Sequence, residues 1–185
     1  MRIVAGIYSS RRLDTLPGND TRPTLDKVRE AVFSSLGGFF EGGNMLDLYA
    51  GSGAVGLEAL SRGMDHIVLV DKSRAAAEII RKNIASLKAE EQTTVLPVSD
   101  LKALSILQER GMQFDLVYLD PPYAKERNME ILRRLQEYDL LAEKARVVIE
   151  SDKEDLYEPV VINLVRYKEA IYGITRISYY QEVES

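Results

Sequence analysis

The sequence predicts a doubly wound α/β fold, in which helices cover both faces of a mostly parallel sheet to give three layers, α/β/α. From Asn44 onward, short apolar runs rich in β-branched residues alternate with segments of helical periodicity, as in parallel sheets. Two strand-like runs near the end of the chain have no helix between them and predict a C-terminal antiparallel hairpin at one edge. The 185 residues contain no internal repeat or long linker, so we expect one domain spanning residues 1–185.

The predicted elements follow one another in the order strand, helix, strand. Five buried strands are expected at residues 45–50, 66–71, 93–98, 114–120 and 145–151, and the hairpin at residues 160–170 and 172–180. Helical spacing of apolar residues connects the first five strands. Before the sheet, Thr24 is expected to cap a helix whose Leu25, Val28, Val32 and Leu36 share one face, and this helix should pack beside a glycine-rich loop at residues 51–53.

Composition excludes several classes of site and partner. The chain has no cysteine and one histidine, His66, which excludes disulfides and thiolate sites and leaves no His cluster for zinc, so we expect a metal-free mechanism. We interpret His66 as structural. No apolar run reaches 18 residues and the first residues do not resemble a signal peptide, so a cytoplasmic location is expected.

The distribution of charge predicts which segment contacts a polyanion. The net charge is -5, but residues 1–30 carry six basic side chains against four acidic ones. We therefore expect the basic N-terminal arm, residues 1–22, to contact nucleic acid. A solvated arm with a chance excess of positive charge is the alternative. The predicted RNA-binding residues are Arg11, Arg12, Arg22 and Lys27.

The glycine-rich loop follows the first predicted strand. Gly51, Ser52 and Gly53 lie between that strand and a helix expected to start near Ala54. Glycines allow the backbone to approach a ligand closely, and free N–H groups at a helix start add polar contacts. One glycine would suffice for a turn without a ligand. With Gly56, the loop also fits the G-x-G-x-x-G pattern of dinucleotide-binding folds, so the glycines alone leave a nicotinamide-dependent oxidoreductase open.

Carboxylates near the strand ends bear on the cofactor. Asp47 lies four residues before Gly51, where a negative charge suits the cationic methionine end of S-adenosylmethionine better than a pyrophosphate. Asp71 is placed to accept both ribose hydroxyls of either cofactor. Asp100 is expected to receive the adenine amine beside the Leu101 N–H, to cap the following helix, or to do both. The predicted cofactor-binding residues are Asp47, Ala50, Gly51, Ser52, Gly53, Asp71, Lys72, Asp100 and Leu101.

The tetrapeptide formed by Asp120, Pro121, Pro122 and Tyr123 is the most specific pattern in the chain. Two consecutive prolines exclude a helix and remove two N–H donors, so the chain leaves the fourth strand extended with its carbonyls available. If Asp120 and the Pro121 carbonyl each accept one N–H of an aryl amine, the nitrogen lone pair turns toward a methyl donor and Asp120 can take the leaving proton. Tyr123 should stack on a base that is flipped out or unpaired. These four predicted catalytic residues indicate methylation of an exocyclic nucleobase amine, rather than a plain strand terminus.

Six segments of the chain resemble the RsmD-type enzymes, which are bacterial guanine-N2 methyltransferases of small-subunit ribosomal RNA. These segments are RIVAG (residues 2–6), TRPTLDKVREAVFSSL (21–36), LDLYAGSGAVGLEALSRG (46–63), VLVDKS (68–73), DLVYLDPPY (115–123) and YGITRIS (172–178). They span the chain in the family's order, and T-R-P-T-x-D-K-V-R-E is far more restrictive than the glycine-rich loop. Relatives usually have glycine then arginine where this chain has Arg11 and Arg12.

The resemblance implies a class I, Rossmann-like methyltransferase fold, S-adenosylmethionine as methyl donor, and guanine N2 of small-subunit rRNA within a 30S particle as substrate. It assigns the cofactor to Asp47, Gly51, Gly53, Asp71 and Asp100, and the target base to the tetrapeptide. No oligomer is required. Adenine-N6 methylation of DNA or RNA remains an alternative, because the tetrapeptide serves any planar exocyclic amine. A non-catalytic RNA-binding protein with the same fold is a further alternative.

Overall fold

The computed structural model describes residues 1–17, 23–122 and 124–184, which contain eight strands and five α-helices. Arg22 and Tyr123, predicted to contact RNA and the target base, lie outside the described residues. The chain divides into two compact units, Met1–Ser99 and Asp100–Ser185. Within the described residues, no helix combines the length and apolar character needed to cross a membrane.

The first unit contains a three-stranded parallel sheet and three helices. The strands are β1 (Asn44–Asp47), β2 (His66–Val70) and β3 (Thr93–Leu96), in the spatial order β3-β2-β1. The helices are α1 (Pro23–Ser35), α2 (Ala54–Ser61) and α3 (Arg74–Leu87). The side chains of β2 from Ile67 to Val70 are all buried, which explains its continuous apolar sequence.

The predicted strand ends in this unit were too late. The prediction placed them at Ala50, Asp71 and Val98, whereas β1, β2 and β3 end at Asp47, Val70 and Leu96. Leu48 and Ala50 are buried although they lie in the turn after β1, so the apolar pattern continues past the strand.

The first helix begins earlier than predicted. It starts at Pro23, so the prediction that Thr24 is its N-cap was wrong. Proline is favoured in a first turn because the N–H that it lacks would have no intrahelical partner there. Val28, Val32 and Leu36 are buried as predicted.

The second unit contains a mixed sheet of five strands and two helices. The strands are β4 (Phe114–Leu119), β5 (Leu141–Asp152), β6 (Val160–Val161), β7 (Leu164–Tyr172) and β8 (Thr175–Glu182), in the order β4-β5-β8-β7-β6. β4 and β5 are parallel, and the other pairs are antiparallel. The helices are α4 (Asp100–Glu109) and α5 (Ala124–Glu137).

The predicted C-terminal hairpin is confirmed by β7 and β8, and β8 joins it to β5. The predicted strand at residues 160–170 is divided in two, because the chain turns at Ile162 with a φ of 55°. A β-branched residue in this left-handed region is unusual, so the apolar sequence gave no indication of the turn.

Candidate active site

Two glycines of the loop after β1 adopt backbone conformations that favour glycine. Gly51 has a φ of 59° and Gly53 a φ of 85°. The Ala50 N–H donates to the Val70 carbonyl and the Gly53 N–H to the Ala50 carbonyl, both at 2.8 Å, so the loop is closed onto the end of β2. A Cβ atom added to Gly51 would have no neighbour within 4 Å. The loop therefore leaves open space beside its own backbone, as close approach of a ligand requires.

Gly56, the third glycine of the pattern, has a packing role. A Cβ atom there would lie 2.8 Å from both Ile67 Cγ2 and Leu69 Cδ2. Its hydrogen side chain lets α2 pack directly on β2, the function of the third glycine in such patterns.

Asp47 fixes the start of α2 from the end of β1. Its carboxylate is 2% exposed, and Oδ2 accepts the Gly56 N–H at 3.1 Å. The N-cap residue of α2, Gly53, has no side chain to supply such an acceptor. Asp47 thus orders the helix start, and its predicted contact with the methionine end of the cofactor stays a prediction.

Asp71 connects the end of β2 to the glycine-rich loop. Its Oδ2 accepts the Gly51 N–H and its Oδ1 accepts the Ser73 N–H, both at 2.9 Å. Each carboxylate oxygen has a further lone pair, so these bonds are compatible with the predicted acceptance of ribose hydroxyls. The predicted residue Lys72 lies between Asp71 and Ser73 with an exposed side chain.

Asn83 holds the loop from α3 and had no predicted role. Its Nδ2 donates to the Ser52 carbonyl at 2.9 Å and to the Asp14 carbonyl at 3.0 Å, while its Oδ1 accepts the Asp14 N–H at 2.7 Å. The side chain is buried, and in the sequence of α3 it lies between the buried residues Ile80 and Ile84. A single amide within the apolar stripe of that helix could have indicated a buried cross-link.

The described part of the N-terminal arm is packed on the first unit. The carboxylate of Glu58, which is fully buried, accepts the Val4 and Ala5 N–H groups at 2.8 and 3.1 Å. It also accepts Arg29 Nε at 3.2 Å and Arg62 Nε at 2.9 Å. Because Arg29 belongs to α1 and Glu58 to α2, this network holds both helices and the arm together, consistent with the prediction that α1 lies near the loop.

The predicted RNA-binding residues that the structure describes, Arg11, Arg12 and Lys27, are exposed. Arg11 donates to the Ser86 carbonyl at 2.6 Å. The backbone of Arg12 forms an isolated antiparallel β-bridge with that of Arg2, and Lys27 lies on the exposed side of α1. Arg2 and Arg12 line a surface cavity of about 480 Å³ that Asp14 and Asp26 share. Two basic and two acidic side chains, together with the N-terminal residue Met1, therefore line that cavity.

Asp100 and Leu101 contact each other at the start of α4. Asp100 Oδ1 accepts the Leu101 N–H at 2.8 Å, and Oδ2 lies 3.5 Å from Arg127 Nε. Because α4 begins at Asp100 itself and the bond goes to the next N–H along the chain, the prediction that Asp100 is the N-cap of this helix was wrong. The predicted contacts of Asp100 and Leu101 with adenine stay a prediction.

Asp120, Pro121 and Pro122 line a pocket of about 460 Å³ in the second unit. β4 ends at Leu119, immediately before Asp120, and α5 begins at Ala124. Pro121 is buried and Pro122 exposed. Three more carboxylates line the pocket, those of Glu150, Asp152 and Asp155. Asp120, Pro121 and Pro122 thus line a pocket of the size typical for small ligands, roughly 300–1,000 Å³.

Glu150 was not predicted to belong to a site. It lies on β5, and its Oε2 accepts a hydrogen bond from the Tyr118 hydroxyl at 3.0 Å. The sequence does contain an indication of a site there, since an acidic residue, Glu150, directly follows the buried run Val147, Val148 and Ile149.

His66 is bonded to a neighbouring strand. His66 Nε2 lies 2.8 Å from Thr94 Oγ1, and partial burial lowers the pKa of the imidazole, which supports a structural role. Among the described residues, no group of three or more His, Asp or Glu side chains is placed to hold a metal ion.

The fold is that of the class I methyltransferases. The chain superposes on the Escherichia coli protein yhhF over 100% of its length and 99% of that chain, with a TM-score of 0.86 and 31% identity. An O-methyltransferase from Bacillus cereus, solved in complex with SAH, covers 90% of this chain and 84% of its own, with a TM-score of 0.66 and 15% identity, and shares the fold alone. The predicted fold class is confirmed.

The chain belongs to the family described as conserved hypothetical protein 95, which matches residues 1–181, and the predicted membership in the RsmD family is confirmed. Its relatives include ribosomal RNA small subunit methyltransferase D of Escherichia coli (strain K12), 33% identical over 98% of this chain and 89% of the relative. The Bacillus subtilis protein YlbH is 36% identical over 98% of this chain and 99% of its own length. This membership favours a methyltransferase over the nicotinamide-dependent alternative.

Proposed function

We propose that this protein transfers a methyl group from S-adenosylmethionine to the exocyclic N2 of a guanine in small-subunit rRNA. Fold and family make it an S-adenosylmethionine-dependent methyltransferase, and rRNA is the substrate in the name of its relatives. The observation that carries the choice of an amine is the pocket lined by Asp120 and the two prolines after a parallel strand. Ligands of open α/β sheets bind beyond the carboxyl ends of such strands.

The residues around the glycine-rich loop fit the cofactor. Gly51 leaves open space beside a left-handed backbone, and the Asp71 carboxylate retains acceptor capacity for ribose hydroxyls. When bound, S-adenosylmethionine supplies an electrophilic methyl group on a sulfonium. The residues proposed to hold it are Asp47, Ala50, Gly51, Ser52, Gly53, Asp71, Lys72, Asp100 and Leu101.

Asp120 and Pro121 are proposed to bind the amine that is methylated. The Asp120 carboxylate and the Pro121 carbonyl each accept one N–H, which orients the nitrogen lone pair and stabilises the positive charge that develops on nitrogen. Asp120 then receives the leaving proton. Pro122 keeps the segment rigid, and Tyr123 stacks on the flipped base.

The RNA is proposed to reach this site as part of a 30S particle. Arg11, Arg12, Arg22 and Lys27 are the proposed phosphate contacts, and ribosomal proteins would supply the remaining docking surface for a chain whose net charge is -5. Neither a metal nor an oligomer is needed, and the proposed location is the cytoplasm, where small subunits are assembled.

The test uses small subunits from a strain that lacks this protein. Incubation with methyl-labelled S-adenosylmethionine should place label on guanine N2, and nucleoside analysis identifies the product. Deproteinised rRNA in a parallel reaction should be labelled less if the particle is the substrate. Label confined to adenine or to protein would overturn the proposal.

A further inference from the structure

Glu150 lies beside the point where the chain leaves β4 for Asp120. In the parallel pairing of β4 with β5, Tyr118 is opposite Val148 and Leu119 is opposite Ile149. Glu150 is the next residue of β5, as Asp120 is the next residue after β4. Both side chains line the same pocket. The register of two strands thus brings a second carboxylate to the proposed amine-binding group.

The Glu150 carboxylate is held in place by Tyr118. The phenol of Tyr118 is 5% exposed, and its hydroxyl donates to Glu150 Oε2 at 3.0 Å. A carboxylate has about four acceptor positions, of which this bond uses one. The backbone of Glu150 is fixed by its pairing with Ile177 of β8. Glu150 therefore presents a positioned acceptor with remaining capacity.

Two further carboxylates of the pocket belong to the end of β5, at Asp152, and to the turn that follows it, at Asp155. Asp152 Oδ1 accepts the Glu154 N–H at 2.9 Å, and the Asp155 N–H donates to the Asp152 carbonyl at 3.0 Å. Asp152 is thus engaged with its own segment. The Glu150 carboxylate is instead bonded by a side chain of β4.

An acceptor beside the amine-binding group distinguishes guanine from adenine. The Watson–Crick edge of guanine carries the N1–H next to the two N2 hydrogens, whereas adenine carries an N1 lone pair next to its amine. A carboxylate therefore accepts a hydrogen bond from the N1–H of guanine, whereas it repels the N1 lone pair of adenine. The described residues that line the pocket include no basic side chain that could donate to an adenine N1. Sites built to bond one polar group reject analogues that lack it.

We propose that the Glu150 carboxylate accepts the N1–H of the target guanine while Asp120 binds N2, so that Glu150 selects guanine over adenine. Tyr118 acts through Glu150 as a positioning residue. The inference rests on the proposed guanine-N2 methylation and assigns the group that determines the base.

The test compares guanine with 2-aminopurine at the target position of reconstituted small subunits. 2-Aminopurine keeps the C2 amine but has a lone pair at N1. The wild-type kcat/KM should be about tenfold or more lower for 2-aminopurine than for guanine. Glu150→Gln replaces an acceptor by an amide that can donate, so kcat/KM should fall for guanine and rise for 2-aminopurine. Tyr118→Phe should also lower the ratio of kcat/KM for guanine to kcat/KM for 2-aminopurine, by a smaller factor than Glu150→Gln.

Glu143→Gln is the matched control, because it makes the same chemical change at an exposed position of β5 outside the pocket lining. Its ratio should equal that of the wild type. The affinity for S-adenosylhomocysteine and the unfolding temperature establish that each variant is folded. If Glu150→Gln does not fold, the comparison is made with Tyr118→Phe. An unchanged ratio in the folded variants would overturn the role of Glu150. Absence of guanine-N2 label with the wild type would instead overturn the proposed function.

Discussion

Asp47 and Asp71, around the glycine-rich loop of the first unit, are held differently from Glu150, in the Asp120 pocket of the second. In the loop, Asp47 and Asp71 accept backbone N–H groups, so the main chain itself fixes their positions. In the pocket, Glu150 is fixed by the side chain of Tyr118 from the neighbouring strand. Substitutions around the loop should therefore change shape and cofactor affinity, whereas substitutions in the pocket should change chemistry and base selection.

Asp120→Ala should have the largest effect on turnover. Removing the group that binds the amine and accepts its proton should lower kcat by at least about a hundredfold, since acid–base and electrostatic contributions each reach that size. Affinity for S-adenosylhomocysteine, measured by calorimetry, should change little. Asp115→Ala, at an exposed position of β4, the strand that precedes Asp120, is the control. Turnover equal to the wild type in Asp120→Ala would favour a non-catalytic RNA-binding protein.

Gly56→Ala should destabilise the first unit. The new methyl group would meet Ile67 and Leu69 at 2.8 Å, and overpacking of this kind costs about 1–3 kcal/mol. Chemical denaturation measures the free energy of unfolding. Gly51→Ala adds a methyl group to the open space where the cofactor is proposed to bind. Its main effect should therefore be lower cofactor affinity, with a smaller loss of stability from the left-handed φ of 59°. Equal loss of stability and equal affinity in the two variants would contradict the separate roles given to these glycines.

Asp71→Ala should weaken the cofactor without abolishing the reaction. The substitution removes the proposed ribose acceptor and the bonds to the Gly51 and Ser73 N–H groups, so the Kd for S-adenosylhomocysteine should rise by about tenfold. At saturating S-adenosylmethionine, kcat should stay within a few-fold of the wild type. A fall in kcat as large as that of Asp120→Ala would show that the loop also controls the chemistry.

The loop could be predicted from sequence because its parts are close together in the chain. Asp47, the glycines and Asp71 lie within one strand-helix-strand unit, and each type of residue has a local reason to be there. The strand ends could not be predicted, since buried turn residues such as Leu48 and Ala50 have the same apolar character as a strand.

The pocket could be predicted only in part, because distant segments form it. The tetrapeptide identified Asp120, but the position of Glu150 depends on the register of β4 against β5, which the sequence does not specify. The arm gives the same lesson. Its charge predicted a contact with nucleic acid but gave no sign that the bonds of Glu58 to the Val4 and Ala5 N–H groups attach it to α2.

His66→Gln should have the smallest effect, a change in the pH dependence of stability in the first unit. Partial burial lowers the pKa of His66 from 6.5 in the folded protein, so the unfolded chain binds its proton first as the pH falls. The stability that His66 contributes is therefore present above about pH 6.5 and is lost as the pH falls through the lowered folded value. His66 is the only histidine, and other groups that titrate nearby, such as the Met1 amine, are common to both proteins. Thermal unfolding between about pH 7.5 and 5.5 should show a steeper fall in Tm for the wild type than for His66→Gln; parallel curves would mean that the bond to Thr94 compensates for the burial of the imidazole.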